Sequence, residues 1–157
     1  ASDVYKRQVM WEWVVSMEYK FTIPGRLDGL NDYTAANRTN PRKGGRVKKD
    51  NESVVIWCIR QQLPGVHITK PVLIYYHFFE KDMRRDGDNI LSCGTKFIQD
   101  SLKHTILQED NRNKIPHFYH DISVDKDNPR IEVIITELTP AQAKMSLREL
   151  LKDLETG

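Results

Sequence analysis

The stretch Arg84-Arg85-Asp86-Gly87-Asp88-Asn89 sets two carboxylates two positions apart, where the strongly apolar segment Val72–Glu80 hands over to an amphipathic one. In extended backbone, residues i and i+2 project to the same side. Asp86 and Asp88 can therefore face one ion, and Gly87 between them lets another group approach closely. Two carboxylates this close repel, and one tends to protonate unless a cation intervenes. Magnesium suits such a pair, because it takes octahedral oxygen ligands from a few carboxylates, water and substrate phosphate. Asp110, beside Glu109, follows the next helix and is expected to return a third carboxylate to that helix's N-terminal end. The competing reading is structural: Asp88 caps a helix beginning at Asn89, and Asp86 favours its dipole. Asp125-Lys126-Asp127 repeats the spacing in a turn, where solvation explains it.

A second group is basic. Arg38, Arg42, Lys43, Arg46, Lys48 and Lys49 place six cations within twelve residues, with no acid among them. Such a cluster suits a phosphate backbone, although a solvated loop would also explain it. Arg84 and Arg85 add charge beside the aspartates. Cations that hold a polyanion next to acids that hold a metal form the combination that metal-assisted phosphodiester cleavage requires.

These groups must be positioned by a chain of 157 residues with 24 basic and 22 acidic side chains and a net charge of +2. That length suits one domain with a real core. No apolar run approaches the roughly 20 residues of a membrane span. Cys58 and Cys93 are far apart and lack metal-ligand spacing, which points to a reduced, intracellular protein with two buried thiols. His117 and His120 fall on a strand, where their spacing turns the rings to opposite faces. Asp3-Val4-Tyr5-Lys6-Arg7-Gln8 looks like the translation of a transposon-end adapter used in sequencing libraries. Residues 1–16 are therefore expected to be a non-native leader before a start at Met17, with Met10 the alternative, and residues 17–157 a single domain. Without the leader the net charge stays +2.

Glu18–Ile23 alternates and reads as a strand closed by Pro24-Gly25. Leu27–Gly45, rich in Asn, Gly, Arg and Pro, is predicted to be a long loop with a helical turn near Asp32–Ala36. Arg46–Gln62 is predicted to be a helix stopped by Pro64-Gly65. Val72–Glu80 is a central strand, Lys81–Asp88 a charged connection and Asn89–His104 a second helix. His117–Val124 and Arg130–Leu138 alternate about Asp125–Pro129 and predict a hairpin. Thr139-Pro140 opens a C-terminal helix with Met145, Leu147, Leu150, Leu151 and Leu154. The order predicts an α+β, two-layer domain with a small mixed sheet packed against helices.

Taken in order, these segments resemble the RusA family of Holliday junction resolvases, especially its phage-type members. The likeness runs from about Tyr19 to Leu138. It rests on Pro24-Gly25-Arg26-Leu27-Asp28-Gly29-Leu30-Asn31-Asp32-Tyr33, the basic segment ending in Lys48-Lys49, Arg84-Arg85-Asp86-Gly87-Asp88-Asn89-Ile90, Lys96-Phe97-Ile98-Gln99-Asp100-Ser101-Leu102, and Glu109-Asp110. The resemblance implies a homodimeric, magnesium-dependent endodeoxyribonuclease, with manganese as a substitute ion. It would nick four-way DNA junctions symmetrically in recombination and repair, in the cytoplasm of a bacterium or phage-infected host. No small-molecule cofactor or membrane is implied. Asp86, Asp88 and Asp110 would be the metal-binding catalytic carboxylates. Asn31, Arg38, Arg42, Lys43, Arg46, Lys48, Lys49, Arg84 and Arg85 would bind DNA. Some members carry a catalytic lysine four residues after the second aspartate, where this chain has Ser92; Lys96, one helical turn further on, takes its place as the candidate. The exposed apolar residues expected of the C-terminal helix could contribute to the dimer. Two other classes compete: a branched-DNA-binding module without cleavage, and a sugar-nucleotide transferase, which also uses Asp-x-Asp after an apolar strand. The transferase lacks room in a chain of this length and leaves the basic segment unexplained.

Overall fold

Residues of β1 (Glu18–Pro24) alternate so that Phe21 and Ile23 are buried on one side of the strand. The computed structural model describes residues 17–156, so the expected leader lies outside the described residues. Helices α1 (Leu30–Thr39) and α2 (Pro41–Gln62) follow, then β2 (Val72–Glu80), α3 (Gly87–Lys103), β3 (His117–Val124), β4 (Arg130–Glu137), α4 (Pro140–Ala143) and α5 (Leu147–Thr156). The strands form one mixed sheet in the order β1-β4-β2-β3, with β2 and β3 parallel and the other neighbours antiparallel.

This is the α+β two-layer arrangement expected. Ile74, Tyr76 and Phe78 of β2 share a core with Phe21, Ile23, Ile131, Val133 and Ile135 of the flanking strands. Val55, Cys58 and Ile59 of α2 and Ile90, Phe97, Ile98 and Leu102 of α3 close over that face. Each such side chain, fully buried, contributes about 1.5–3 kcal/mol. Both cysteines are buried and unbonded. No helix among the described residues is long and apolar enough to cross a membrane.

Three local expectations fail. The predicted loop over Leu27–Gly45 is mostly a helical hairpin. Asn40 accounts for it: its N–H closes α1 on the Ala36 carbonyl, while its Oδ1 accepts the Arg42 N–H at 2.8 Å and caps α2, with Pro41 at the first helical position. Glycine and asparagine disfavour helix only as a weak prior. Here packing overrides it, since a Cβ on the buried Gly44 would overlap the Asn37 side chain.

The predicted hairpin does not form either. β2 lies between β3 and β4, and residues 125–129 wrap around its end. The Asp125 N–H donates to the Glu80 carbonyl at 2.8 Å, and Arg130 binds Asp125 at 2.8 Å with its guanidinium 3.8 Å above the Phe79 ring. A turn between two alternating strands looks the same in sequence whether they pair or straddle a third.

The C-terminal helix is split in two. Thr139 caps α4, and the Ser146 hydroxyl accepts the Glu149 N–H to restart the chain as α5. Leu150 is buried against Leu73 and Leu138, with Leu147, Leu151 and Leu154 packed beside them. The apolar stripe expected to be exposed for dimerisation is therefore spent on the outer face of the sheet.

Candidate active site

The carboxylate pair sits where β2 gives way to α3. The helix begins at Gly87 rather than Asn89, so Asp86 takes the cap position and Asp88 lies inside the first turn. The Asp86 carboxylate makes no capping hydrogen bond, and both side chains are exposed. Capping by Asp88, the structural alternative, is therefore not what the backbone does. The extended backbone expected to turn both carboxylates to one side does not form, because Gly87 and Asp88 are already helical and residues two apart on a helix do not face each other. What the two acids share is the positive end of a 17-residue helix, whose dipole favours negative charge.

Arg85 fixes this end of the helix. Its Nε and Nη2 donate to the Glu80 carboxylate at 2.7 and 2.9 Å, and its Nη1 donates to the Leu27 carbonyl at 3.0 Å. The two side chains are only 11% and 9% exposed. Arg85 thus ties the end of β2 and the β1–α1 connection to the residue preceding Asp86. With Nε, Nη1 and Nη2 each bonded within the fold, Arg85 braces this end of the helix, and the DNA-binding role expected of it would draw on a guanidinium already engaged here. Arg84 is exposed, beside Asp82.

The N-termini of α1 and α3 meet here. The Asn31 N–H donates to Asn89 Oδ1 at 2.9 Å, and Asn31 is exposed on the first turn of α1. Asp28 accepts from Asn51 Nδ2 at 2.8 Å and Asp32 from the Gly29 N–H at 2.9 Å. Burial, and then the charges of Asp32 and Asp28, push the Cys93 thiol up. Asp28 and Asp32 therefore add negative potential to this end of the molecule. Their signature, Asp-Gly-Leu-Asn-Asp, is that of a helix start with an acid at its third position. A Cβ on Gly29 would stand 2.7 Å from the Asn89 carbonyl oxygen and on top of its side-chain oxygen. Gly29→Ala is expected to separate the two helix starts, costing about 1–3 kcal/mol, a loss readable as a lowered thermal midpoint.

Asp110 and Lys96 do not join this group. Asp110 pairs with Lys103, in the last turn of α3, at 3.6 Å. At 1.5 Å per residue that is about 24 Å from the helix start. The expected return of Asp110 to the N-terminal end is overturned, because the chain after α3 curls under its C-terminus: the Ile68 N–H donates to the Ile106 carbonyl, and the Leu107 N–H to that of Leu102. Lys96 turns away from Asp88 towards Asp100, 3.7 Å distant. Among the described residues no three His, Cys, Asp or Glu side chains are grouped to hold a metal ion. Asp86 and Asp88 are the acids left at the start of α3, and a magnesium ion held by one or two carboxylates takes its remaining ligands from water and phosphate.

The cations flank the acids on two sides. Arg38 closes α1, while Arg42, Lys43, Arg46 and Lys49 occupy the start of α2, all exposed. Lys48 differs. It pairs with Asp100 at 3.3 Å and Glu52 at 3.7 Å, and the bond to Asp100 holds its amine above the ordinary lysine range. Lys48 thus braces α2 against α3. On the other side, Arg26 reaches Asp32 at 3.9 Å and, with Lys81 and Arg84, lines a cavity of about 430 Å³ floored by the Arg85–Glu80 pair. Arg26 lies in the Pro24–Tyr33 segment and Lys81 opens the charged connection, but neither stands in a run of cations that would have marked it as a site residue. No protein-family model matches the chain, and no curated protein matches it.

Proposed function

We propose that this protein is a magnesium-dependent endodeoxyribonuclease acting on four-way DNA junctions as a homodimer. The observation that carries the reading is a pair of uncapped, exposed carboxylates fixed at the start of α3 by Arg85, with cationic surfaces on both sides. The order of motifs shared with the RusA family supports the junction as substrate. Asp86 and Asp88 would hold the ion, with Mn²⁺ as a substitute. When bound, magnesium supplies an activated water and neutralises charge on the attacked phosphate.

The chain's own groups position the substrate. Arg26, Lys81 and Arg84 hold the phosphate to be cut, and Asn31 lies beside it on the first turn of α1. The α1–α2 hairpin presents Arg38, Arg42, Lys43, Arg46 and Lys49 along one helix length from the acids, about 15 Å. That distance is roughly four base pairs of axial rise. Because the hairpin is helical, these charges form a rigid comb suited to a fixed backbone path.

The displacement of Asp110 and Lys96 favours one alternative, a branched-DNA-binding module that does not cut. Binding measurements alone leave the two together, whereas nicking separates them. Neutralising Arg42, Lys43, Arg46 and Lys49 is expected to weaken junction binding and reduce the slope of log K against log salt by about 0.9 for each phosphate that the chain no longer neutralises. Titrations at several salt concentrations measure this, and an unchanged slope removes the hairpin from the interface. Labelled four-way junction, duplex and single-stranded DNA incubated side by side with magnesium test the proposal itself. Nicks confined to the junction support it, and an intact junction contradicts it.

A further inference from the structure

The sheet has two edges, and they are built differently. β1 carries Glu18 and Lys20 and ends at Pro24. Charges and proline are the usual guards against edge-to-edge pairing. β3, His117-Phe-Tyr-His-Asp-Ile-Ser-Val124, has no lysine, arginine or proline over eight residues. Its single charge, Asp121, accepts the Tyr75 hydroxyl at 2.6 Å and so lies across the sheet face rather than guarding the edge.

On β3, residues of the core face emerge into solvent, three of them apolar with His120 between Phe118 and Ile122. Phe118, Ile122 and Val124 stand in register with Ile74, Phe78 and Glu80 of β2, all three of them buried. Yet Phe118, Ile122 and Val124 are 49%, 39% and 48% exposed. Phe118 continues the core directly, edge-on to Tyr76 at 6.2 Å between ring centres. Of the other apolar surfaces, the stripe of α5 is already packed against the sheet, and Val54 and Trp57 of α2 are exposed on a helix that offers no unpaired strand edge.

We infer that β3 is the homodimer interface, pairing antiparallel with β3 of a second copy about a two-fold axis through His120. A two-fold normal to the sheet keeps core-face residues on the same face in both copies, so only registers that join residues of equal parity are allowed. With His120 on the axis, Phe118 meets the second copy's Ile122, Tyr119 meets Asp121, and Val124 meets Pro116. Moving the axis to Asp121 sets two like charges directly opposite, which is unfavourable. Moving it to Tyr119 sets Phe118 against His120 and loses the apolar pairing. Of these three registers, the one centred on His120 both pairs Phe118 with an apolar residue and keeps the two Asp121 side chains apart.

The arrangement also bears on the active site, a link that rests on the nuclease reading. Ile122 Cδ1 lies 3.7 Å from where a Cβ on Gly87 would stand. The interface would therefore adjoin the loop carrying Asp86 and Asp88, and place the two acid pairs across the axis from one another at the same level of the joined sheet, as paired nicks on opposed strands require.

Sedimentation equilibrium without DNA or metal tests the interface apart from the chemistry. The wild-type chain is expected to be dimeric at micromolar concentration. Ile122→Lys, which adds the missing guard, should weaken the dimer at least tenfold while the circular dichroism spectrum persists, and should remove the concentration dependence of the thermal midpoint. Under mild oxidation His120→Cys should give a disulfide-linked dimer, because the residue faces its own copy across the axis, whereas Phe118→Cys should not. A monomeric wild-type chain overturns the proposal, as does a dimer indifferent to Ile122→Lys. A dimer that links through Phe118→Cys but not His120→Cys overturns the register. A stable β3 dimer that fails to nick junctions would count against the nuclease reading and leave the interface standing.

Discussion

On the proposed function, Asp88→Asn is expected to lower magnesium-dependent nicking of a four-way junction by at least about a hundredfold, near 2.7 kcal/mol of transition-state stabilisation. Junction affinity measured in EDTA and the thermal midpoint stay close to wild type. Three features of the site lead to this expectation. Asp88 is inside the first turn of α3, not at the cap, so no capping bond is lost. Its side chain is exposed, so asparagine fits without repacking. An amide lacks the charge with which a carboxylate holds a hard cation. Single-turnover nicking, fluorescence anisotropy and thermal melting measure the three quantities separately. Loss of nicking together with loss of folding would mean that Asp88 is structural after all.

Arg85→Ala produces the largest loss of stability. It strands the Glu80 carboxylate, which is 9% exposed and accepts two of the guanidinium's bonds, and it frees the Leu27 carbonyl. Removing one partner of a buried ion pair costs about 3–5 kcal/mol, or roughly 6–20 °C in midpoint for a chain of this size. The neighbouring Arg84→Ala removes an exposed side chain and should leave the midpoint within about 1 °C, since exposed ion pairs contribute little. Differential scanning calorimetry of the two variants separates a bracket from a DNA contact. Equal and small shifts would return Arg85 to the DNA-binding surface. Residual folded Arg85→Ala protein is expected to nick poorly, because the bracket ties the residue before Asp86 to the end of β2.

Much of the fold was legible because burial imposes simple periods on sequence. β1 alternates, β2 is a continuous apolar run, and the inward faces of α2 and α3 carry apolar residues three to four apart; these segments form close to where they were expected, save that α2 starts five residues earlier. What escaped depends on relations between distant residues. Asn40-Pro41 is a local helix signal, but the glycines around it suggest a loop until Gly44 is seen against Asn37. Nothing local tells β3 to leave β4 and lie beside β2. The carboxylate pair was legible because Asp86 and Asp88 are neighbours in the chain, as were the exposed cations of α1 and α2. The third carboxylate was not, since a helix of 17 residues carries its two ends about 24 Å apart and sequence alone does not show whether the chain doubles back. The inward turn of Arg85 was hidden likewise, because its partner Glu80 becomes buried only once the strands and loops at the end of β2 have assembled around it.

The claim that most needs testing is that the Asp86–Asp88 pair supports strand cleavage. The direct measurement is denaturing electrophoresis of a four-way junction labelled in turn on each strand, with wild-type protein in magnesium and in EDTA. The account predicts nicks in magnesium at equivalent positions on two opposed strands, none in EDTA, and none in duplex of the same sequence. A junction that is bound but intact in magnesium would contradict it and leave a DNA-binding module.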